Sequence, residues 1–425
     1  MIDRSVAPNQ QEIEKIEFAE AQTVVFSSGI QCHSVVQEDC KVVKLELEFE
    51  AGSKFQDKAL IATMVNNLIL EGCERYSAYE IASFFDNEGA FIDTSCSADK
   101  ASLVLHCLER SIPKLVPYLQ EVLSTANFPQ KEIENYLKIS AQKFEVNREK
   151  VGWVARNEFM EELLGKGHPY CWKLKANNYV DVQRDDLISF YNEKYKSTAF
   201  QIYVSGKVTS EVLKTIEEVF NSASIRPSKS IDRLAMAEPS ASKMKLIEKK
   251  GAIQSAIRLG ALTINRRHAD FPFLFVANTV LGGYFGSRLM TNIREDKGYT
   301  YGIGSGVIHL DDLSYFIVST EVGGEVTGAT LKEIEIEMNQ LQNVLVSQEE
   351  LKLVKNYILG NIMKGFDGSF SAMARFQMLN HNGLGYSYYE TLIQKIKEMK
   401  AKEIQVAARK YLVYSDLKKI VVGKL

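Results

Sequence analysis

Four segments of the chain alternate apolar and polar residues with a period of two, the pattern of strands that bury one face in a sheet. These segments are residues 41–51, 101–109, 252–264 and 314–322. Segments with apolar residues at helical spacing lie between them, at residues 59–70, 78–88 and 271–281. Strands first and helices after, twice over, predict an α+β fold of two antiparallel sheets, each with helices packed on one face.

The two halves of the chain also resemble each other. Residues 185–208 and 402–425 each read as a helix ending in Lys-Tyr, a polar turn, and an apolar strand closed by Gly-Lys. Tyr195 then matches Tyr411, and Gly206 matches Gly423, at an offset of about 216 residues. This offset is roughly half the chain and is far too long for a solenoid repeat. We therefore predict two homologous domains.

The boundary between these domains is predicted at residues 225–242, which contain two prolines, four serines and no sustained apolar period. The predicted domains are residues 1–224 and 243–425, with 225–242 as the linker. Residues 126–147 and 344–365 support this division, because each reads as a turn followed by a long helix in its own half.

Composition and charge exclude several classes of protein. Lys and Arg number 51 and Asp and Glu 54, so the formal net charge is −3 and no global basic field exists to hold nucleic acid. The acidic N-terminus does not resemble a secretory signal. No apolar run approaches the roughly 20 residues that a membrane helix needs. We expect a soluble, cytoplasmic protein that binds neither nucleic acid nor membrane.

Common metal and nucleophile motifs are missing. None of the six histidines lies three or four residues from another, so the sequence has no local two-histidine zinc motif. The six cysteines form no Cys-x-x-Cys pair, and no Gly-x-Ser-x-Gly is present. The glycines at 282–286 and 302–306 lack the form of a phosphate loop. We expect no metal or cofactor bound by this chain itself.

One surface pair remains as a candidate site. Arg294 falls at a predicted helix end, and Tyr301 falls on the strand after the Lys-Gly turn. A guanidinium and a phenol at this spacing can hold a peptide carbonyl or stabilise an oxyanion. The alternative is an arginine that balances a helix dipole and a tyrosine packed in the sheet, and spacing alone favours it.

Three ordered motifs resemble the pitrilysin/insulinase family of zinc peptidases, which includes the mitochondrial processing peptidase. Residues 71–99 resemble the family's Gly-Thr…Ser…Ile…Gly-Ala segment, with Cys73 in place of the threonine. Residues 165–170, GKGHPY, resemble its His-Pro-Tyr turn, and residues 287–301 resemble its second-half signature. Together with the internal duplication, the resemblance covers nearly the whole chain, and it implies that the two domains form half of a clam-shell.

The resemblance implies that the family's zinc site is lost here. In the family an inverted His-x-x-Glu-His on a helix supplies two histidine ligands and the catalytic base, and a glutamate from a later helix is the third ligand. Alignment on Gly72 puts these five positions at Thr63, Met64, Val65, Asn66 and Asn67. The third ligand position falls at Gln142 or Lys143, with Glu145 too displaced to replace it. This chain alone should therefore not hydrolyse peptides.

The family's arginine and tyrosine, in contrast, match Arg294 and Tyr301. The resemblance implies a zinc-less subunit that contacts peptide substrate through these two residues. Its partner would be a homologous chain with an intact His-x-x-Glu-His motif and bound zinc, so that the heterodimer cleaves peptides. Three alternatives remain: a structural or assembly subunit without proteolysis, a peptide-binding homodimer, and an independently active zinc peptidase built from unrelated ligands.

Overall fold

The computed structural model describes residues 17–197, 200–221 and 236–424. Most of the predicted linker at 225–242 lies outside the described residues, so the proposed domain boundaries stay a prediction. Residues 238 and 240 are described, and their amide groups donate hydrogen bonds to the carbonyl oxygens of Leu164 and Glu162. The start of the second half is thereby attached to the end of a first-half helix.

The first half contains a six-stranded sheet. Its strands are β1 (Gln22–Val25), β2 (Gln31–Val36), β3 (Val42–Phe49), β4 (Phe91–Cys96), β5 (Ala101–Leu108) and β6 (Phe200–Gly206). Its helices are α1 (Ile61–Leu68), α2 (Ala78–Asn87), α3 (Ile112–Thr125), α4 (Gln130–Asn147), α5 (Val151–Leu164), α6 (Asn178–Asp181), α7 (Arg184–Tyr191) and α8 (Ser210–Asn221). The predicted strands at 41–51 and 101–109 are β3 and β5.

The second half contains a five-stranded sheet. Its strands are β7 (Met244–Glu248), β8 (Gln254–Thr263), β9 (Thr300–His309), β10 (Ser314–Gly323) and β11 (Lys418–Gly423). Its helices are α9 (Phe271–Asn278), α10 (Thr327–Asn343), α11 (Gln348–Lys364), α12 (Ser369–His381), α13 (Ser387–Glu398) and α14 (Ala401–Tyr411). Within the described ranges, no helix is both long and apolar enough to cross a membrane.

The two sheets share one topology, which confirms the predicted α+β fold. The strand order is β1-β2-β6-β3-β5-β4 in the first sheet and β7-β11-β8-β10-β9 in the second. Strand β1 is therefore an addition to a common five-stranded arrangement. Each sheet differs from the antiparallel prediction at one pairing, because β2 pairs with β6 and β7 with β11 in parallel. The cause is that the last strand of each half, β6 or β11, inserts between the first two strands of the common arrangement, where it must run parallel to one neighbour.

Each half contributes one helix to the outer face of the other half's sheet. Helix α5 packs on β8 and β11, where the ring of Phe159 lies against Gly260. Helix α12 packs on β2 and β6, where Phe376 contacts the His33 ring at 4.9 Å between centroids. Both faces of each sheet are thus covered, which explains why the neighbouring residues Cys32 and His33 are both buried.

Gly206 and Gly423, the matched pair of the repeat, end the last strand of each sheet. Both have a positive φ, 104° and 150°, a conformation that favours glycine. A Cβ atom at Gly206 would lie 2.1 Å from the carbonyl oxygen of Val42, and one at Gly423 would lie 2.5 Å from that of Gln254. The same steric requirement therefore explains the same residue in both halves.

Candidate functional site

Helix α1 carries the five positions that align with the family's inverted zinc motif. The helix packs against β4 and α4, and Met64, Val65 and Asn66 are fully buried. Thr63 and Asn67 lie one turn apart on its less buried side. The positions aligned with the two histidines therefore share one helix face, although their side chains here are a hydroxyl and an amide.

Asn66, at the position aligned with the catalytic glutamate, is tied into the core. Its Oδ1 accepts a hydrogen bond of 2.9 Å from the hydroxyl of Tyr195. Its Nδ2 donates to the carbonyl oxygen of Ser102 at 3.4 Å. Burial raises the pKa of Tyr195 well above its usual value, so this phenol stays protonated and keeps donating. Asn66 therefore acts as a structural hydrogen-bonding residue.

Asn67 bridges a helix and a strand. Its Nδ2 donates to the hydroxyl of Tyr136 on α4 at 3.1 Å, and its Oδ1 accepts from the hydroxyl of Thr94 on β4, also at 3.1 Å. Thr63 faces the same strand, because it hydrogen-bonds the thiol of Cys96, whose pKa burial raises. These contacts use the polar atoms of both residues, and none of these side chains is a usual zinc ligand.

Gln142 and Lys143, the aligned positions of the third ligand, are both exposed on α4. The residue of α4 that contacts Asn67 is Tyr136, which the sequence analysis missed. Tyr136 lies seven residues before Lys143, so the two share a helix face, and this spacing could have indicated it. Within the described part of the chain, no group of three His, Cys, Asp or Glu side chains could hold a metal ion.

Arg294 lies in a π-helical turn, Met290–Asp296, in the second half. Its guanidinium is centred 4.4 Å from the ring centroid of Phe285. The side chain is 33% exposed, and the carboxylate of Glu295 comes no closer than 3.9 Å. Arg294 is therefore oriented mainly by an aromatic ring, an interaction that leaves the edge of the guanidinium free to donate hydrogen bonds.

Tyr301 lies near the start of β9, the edge strand of the second sheet, and is 94% exposed. The hydroxyl of its neighbour Thr300 donates a hydrogen bond to the carbonyl oxygen of Glu321 and accepts one from the hydroxyl of Thr320. A depression of about 370 Å³ beside Tyr301 is also lined by Arg258. The phenol is therefore presented outward from a fixed backbone, and the alternative of a tyrosine packed in the sheet is wrong.

The His-Pro-Tyr turn is positioned at the contact between the two halves. The hydroxyl of Tyr170 donates to Asp312, in the β9–β10 turn, at 2.7 Å, and it also contacts Asp99. The Nζ atom of Lys54 lies 2.8 Å from Asp99 and 2.9 Å from Asp312, and Asp311 completes the group. Burial opposes the charge of Asp312, but hydrogen bonds from Tyr170 and Lys54 lower its pKa overall. This cluster, buried at the side chain of Lys54 and at Asp99 and exposed at Asp311 and Asp312, joins the two halves.

Beside this cluster is a polar cavity of about 410 Å³, lined by both halves. Lys100 and Glu48 line it from the first half, and Arg266, Asp311 and His381 line it from the second. The lining groups pair with one another, for example Lys100 with Asp311 at 3.3 Å. The lining as a whole carries more carboxylates than cations, and part of its charge is paired within the walls.

Comparison with known proteins covers both halves of the chain. The family description "Insulinase (Peptidase family M16)" matches residues 34–164. The description "Peptidase M16 inactive domain" matches residues 181–358. The gap between the two matches, at residues 165–180, lies before the predicted linker at 225–242, so the second match includes β6, the last strand of the first sheet.

Individual relatives match most of the chain at low identity. The "Uncharacterized zinc protease YmxG" of Bacillus subtilis is 22% identical over 81% of this chain and 83% of its own length. The "Non-peptidase homolog YmxG" of Helicobacter pylori is 22% identical over 88% and 87%. The solved structure "peptidase M16 inactive domain from Pseudomonas fluorescens" has a TM-score of 0.85 and 23% identity, over 95% of this chain and 98% of that one. The chain belongs to the insulinase (M16) peptidase family, and its residues 181–358 match the description of that family's inactive domain.

Proposed function

We propose that this chain is the zinc-less subunit of a two-chain M16 metalloendopeptidase and contributes Arg294 and Tyr301 to the partner's active site. The observation that carries the proposal is the 94% exposure of Tyr301 on a backbone that Thr300 fixes. A large aromatic side chain held outward in this way has no packing role in its own chain. It is well placed to contact a ligand from outside.

The residues of this chain do not fit zinc. Thr63 and Asn67 offer a hydroxyl and an amide, and both hydrogen-bond neighbouring side chains. Asn66 cannot act as a base, because an amide does not accept a proton at neutral pH. The zinc of the proposed complex belongs to a homologous partner with an intact His-x-x-Glu-His motif, which supplies the hydrolytic chemistry.

The proposed role of this chain is to bind and polarise the scissile peptide. Substrate is expected to add as an extended strand to a sheet edge, as peptides do in β-augmentation. The guanidinium of Arg294 would donate to the carbonyl oxygen, and the phenol of Tyr301 would donate to the oxyanion that develops there. Donors of this kind stabilise the transition state more than the ground state.

Two other functions make different predictions. A structural subunit would join a larger assembly without proteolysis, and a peptide-binding homodimer would bind peptides as a single purified chain and be indifferent to chelators. A structural subunit gives no reason for the exposure of Tyr301, whereas a peptide-binding homodimer also accounts for it. Both are therefore tested by the same experiment.

The experiment is to tag the chain in its native host and purify it under mild conditions. Its partners are identified by mass spectrometry, and the eluate is tested for cleavage of unfolded peptides with and without a zinc chelator. The proposal expects a homologous chain with an intact motif and chelator-sensitive cleavage that needs both chains. Elution alone, or within an assembly that lacks peptidase activity, would reject it.

A further inference from the structure

We propose that Phe285 is a positioning residue for Arg294, its ring holding the guanidinium in the orientation that contacts substrate. The proposal rests on the proposed function of Arg294. It adds Phe285 to the site, a residue to which no sequence motif assigns a role. The geometry that supports it is the distance of 4.4 Å between the guanidinium centre and the ring centroid of Phe285.

Arg288, six residues earlier on the same segment, provides an internal comparison. Its Nε and Nη2 atoms donate to the two carboxylate oxygens of Glu350, both at 2.8 Å. That fork of donors is therefore used within the chain, and Arg288 acts as a structural residue. Within the described part of the chain, the carboxylate of Glu295 lies 3.9 Å from Arg294, beyond hydrogen-bond distance.

A ring and a carboxylate hold a guanidinium in different ways. A carboxylate occupies the N–H groups along one edge, whereas a ring contacts the flat face and leaves the edges available. The contact with Phe285 therefore restrains the Arg294 guanidinium without a carboxylate within hydrogen-bond distance to occupy its donors. This arrangement suits a residue that must bind a carbonyl oxygen from another molecule.

The backbone that carries Phe285 is itself anchored. The amide of Ser287 donates to the carbonyl oxygen of Tyr284 at 3.1 Å, which closes a turn around Phe285. The ring of Tyr284 packs against that of Tyr357 on α11, with centroids 5.0 Å apart. The Phe285 ring is nevertheless 63% exposed, so it contributes little to the core. Replacing it should change the orientation of Arg294 without unfolding the chain.

The test uses the purified two-chain complex and a double-mutant cycle of Phe285→Leu and Arg294→Ala. A cation–π contact at a partly exposed site predicts a reduction of about 2–5-fold in kcat for Phe285→Leu, with little change in KM. Phe285→Tyr keeps the aromatic face and should restore kcat. In the Arg294→Ala background, Phe285→Leu should have no further effect, because its partner is already gone.

The cycle separates this inference from the proposed function. Normal activity of Arg294→Ala would reject the proposed function, and the inference with it. Loss of activity in Arg294→Ala together with full activity in Phe285→Leu would overturn only the role of Phe285. Equal losses from Phe285→Leu in both backgrounds would also overturn it, because the two residues would then act independently.

A spectroscopic measurement on the isolated chain tests the contact without any partner. A proton held over an aromatic face is shifted upfield by the ring current. In a chain labelled with ¹⁵N-arginine, the Nε–Hε signal of Arg294, assigned through Arg294→Ala, should move downfield in Phe285→Leu and stay in place in Phe285→Tyr. An unchanged signal in Phe285→Leu would mean that the ring does not hold the guanidinium.

Discussion

The Nε2 atom of His381 lies 2.7 Å from the Oε1 atom of Glu48 and joins α12 of the second half to β3 of the first. Glu48 is buried, and it also accepts a hydrogen bond from the hydroxyl of Tyr203. Burial alone would lower the pKa of His381, but the hydrogen bond and charge of Glu48 raise it above its usual value overall. The charged pair therefore helps to hold α12 against the sheet of the other half.

This pair predicts a pH-dependent stabilisation. Because the pKa of His381 is raised by folding, its contribution is fully present below about pH 6.5 and is lost as the pH rises through the folded value. His381→Gln should cost about 1–2 kcal/mol at pH 6 and clearly less at pH 9. Urea unfolding of both proteins at the two pH values measures the difference. A penalty that grows with pH would contradict the assignment.

The contribution of His381 has to be measured as the difference in stability between His381→Gln and wild type, because other histidines change stability with pH in the opposite direction. Burial lowers the pKa of His33 and His106, and lowers that of His309 to about 3. Each of these is held neutral in the folded chain, so its contribution is present above about pH 6.5 and is lost as the pH falls toward the folded value. Their effect cancels when His381→Gln is compared with wild type at the same pH.

The ionic cluster between the halves predicts a large cost for removing its cation. Lys54→Met leaves the buried carboxylate of Asp99 without its cation, next to the exposed Asp312, and we expect a loss of about 2 kcal/mol in the free energy of unfolding. Tyr170→Phe removes a single hydroxyl and should cost about 1–2 kcal/mol. Denaturant unfolding measures both. Lys114→Met is the matched control, since Lys114 pairs with Glu88 at the surface, and it should leave the unfolding midpoint unchanged.

The contacts of Asn66 predict a structural role. Asn66→Ala leaves the buried hydroxyl of Tyr195 without its acceptor, so we expect a loss of about 2–3 kcal/mol in stability. The matched control is Asn135→Ala, because Asn135 is exposed on α4 and should tolerate the change. Asn66→Glu would place a carboxylate in the core, and we expect it to destabilise the chain without creating zinc binding. Stoichiometric zinc in that variant would contradict this account of α1.

The repeated glycines predict matched effects in the two halves. Gly206→Ala and Gly423→Ala should each cost more than about 2 kcal/mol, because the added Cβ meets backbone atoms at a positive φ. Gly360→Ala is the control within helix α11, where a Cβ meets nothing within 4 Å. That change should stabilise the chain by about 0.5–1 kcal/mol. Thermal unfolding of the three variants shows whether the two matched glycines contribute equally to stability.

The sequence predicted the elements within each half better than the contacts between the halves. Alternation marked β3, β5, β8 and β10, because each has one face on its own core. The exchange of α5 and α12 was not predictable, since helical periodicity shows which face is apolar but not which sheet covers it. The contact that Tyr170 makes between the two halves was missed for the same reason, as its partner Asp312 lies 142 residues away.

The candidate site was predictable only in part. Local spacing and the family motif identified Arg294 and Tyr301, but spacing alone favoured a packed tyrosine, and the structure exposes it. The contact between Phe285 and Arg294 depends on the rotamers of two side chains nine residues apart, which no periodic pattern encodes. Tyr136 was overlooked because the family motif directs attention to the third ligand position, which lies on the same face of α4 but two turns further along the helix.

The most direct test of the central claim is turnover by the purified two-chain complex with Arg294→Ala in this chain. Removing an oxyanion-type donor should lower kcat by about 100–1000-fold while the two chains still co-elute. Tyr301→Phe should also reduce kcat, whereas Arg75→Ala and Tyr79→Phe, at exposed positions of the first half, should not. Full activity of the Arg294→Ala complex would contradict the claim that this chain contributes to the active site.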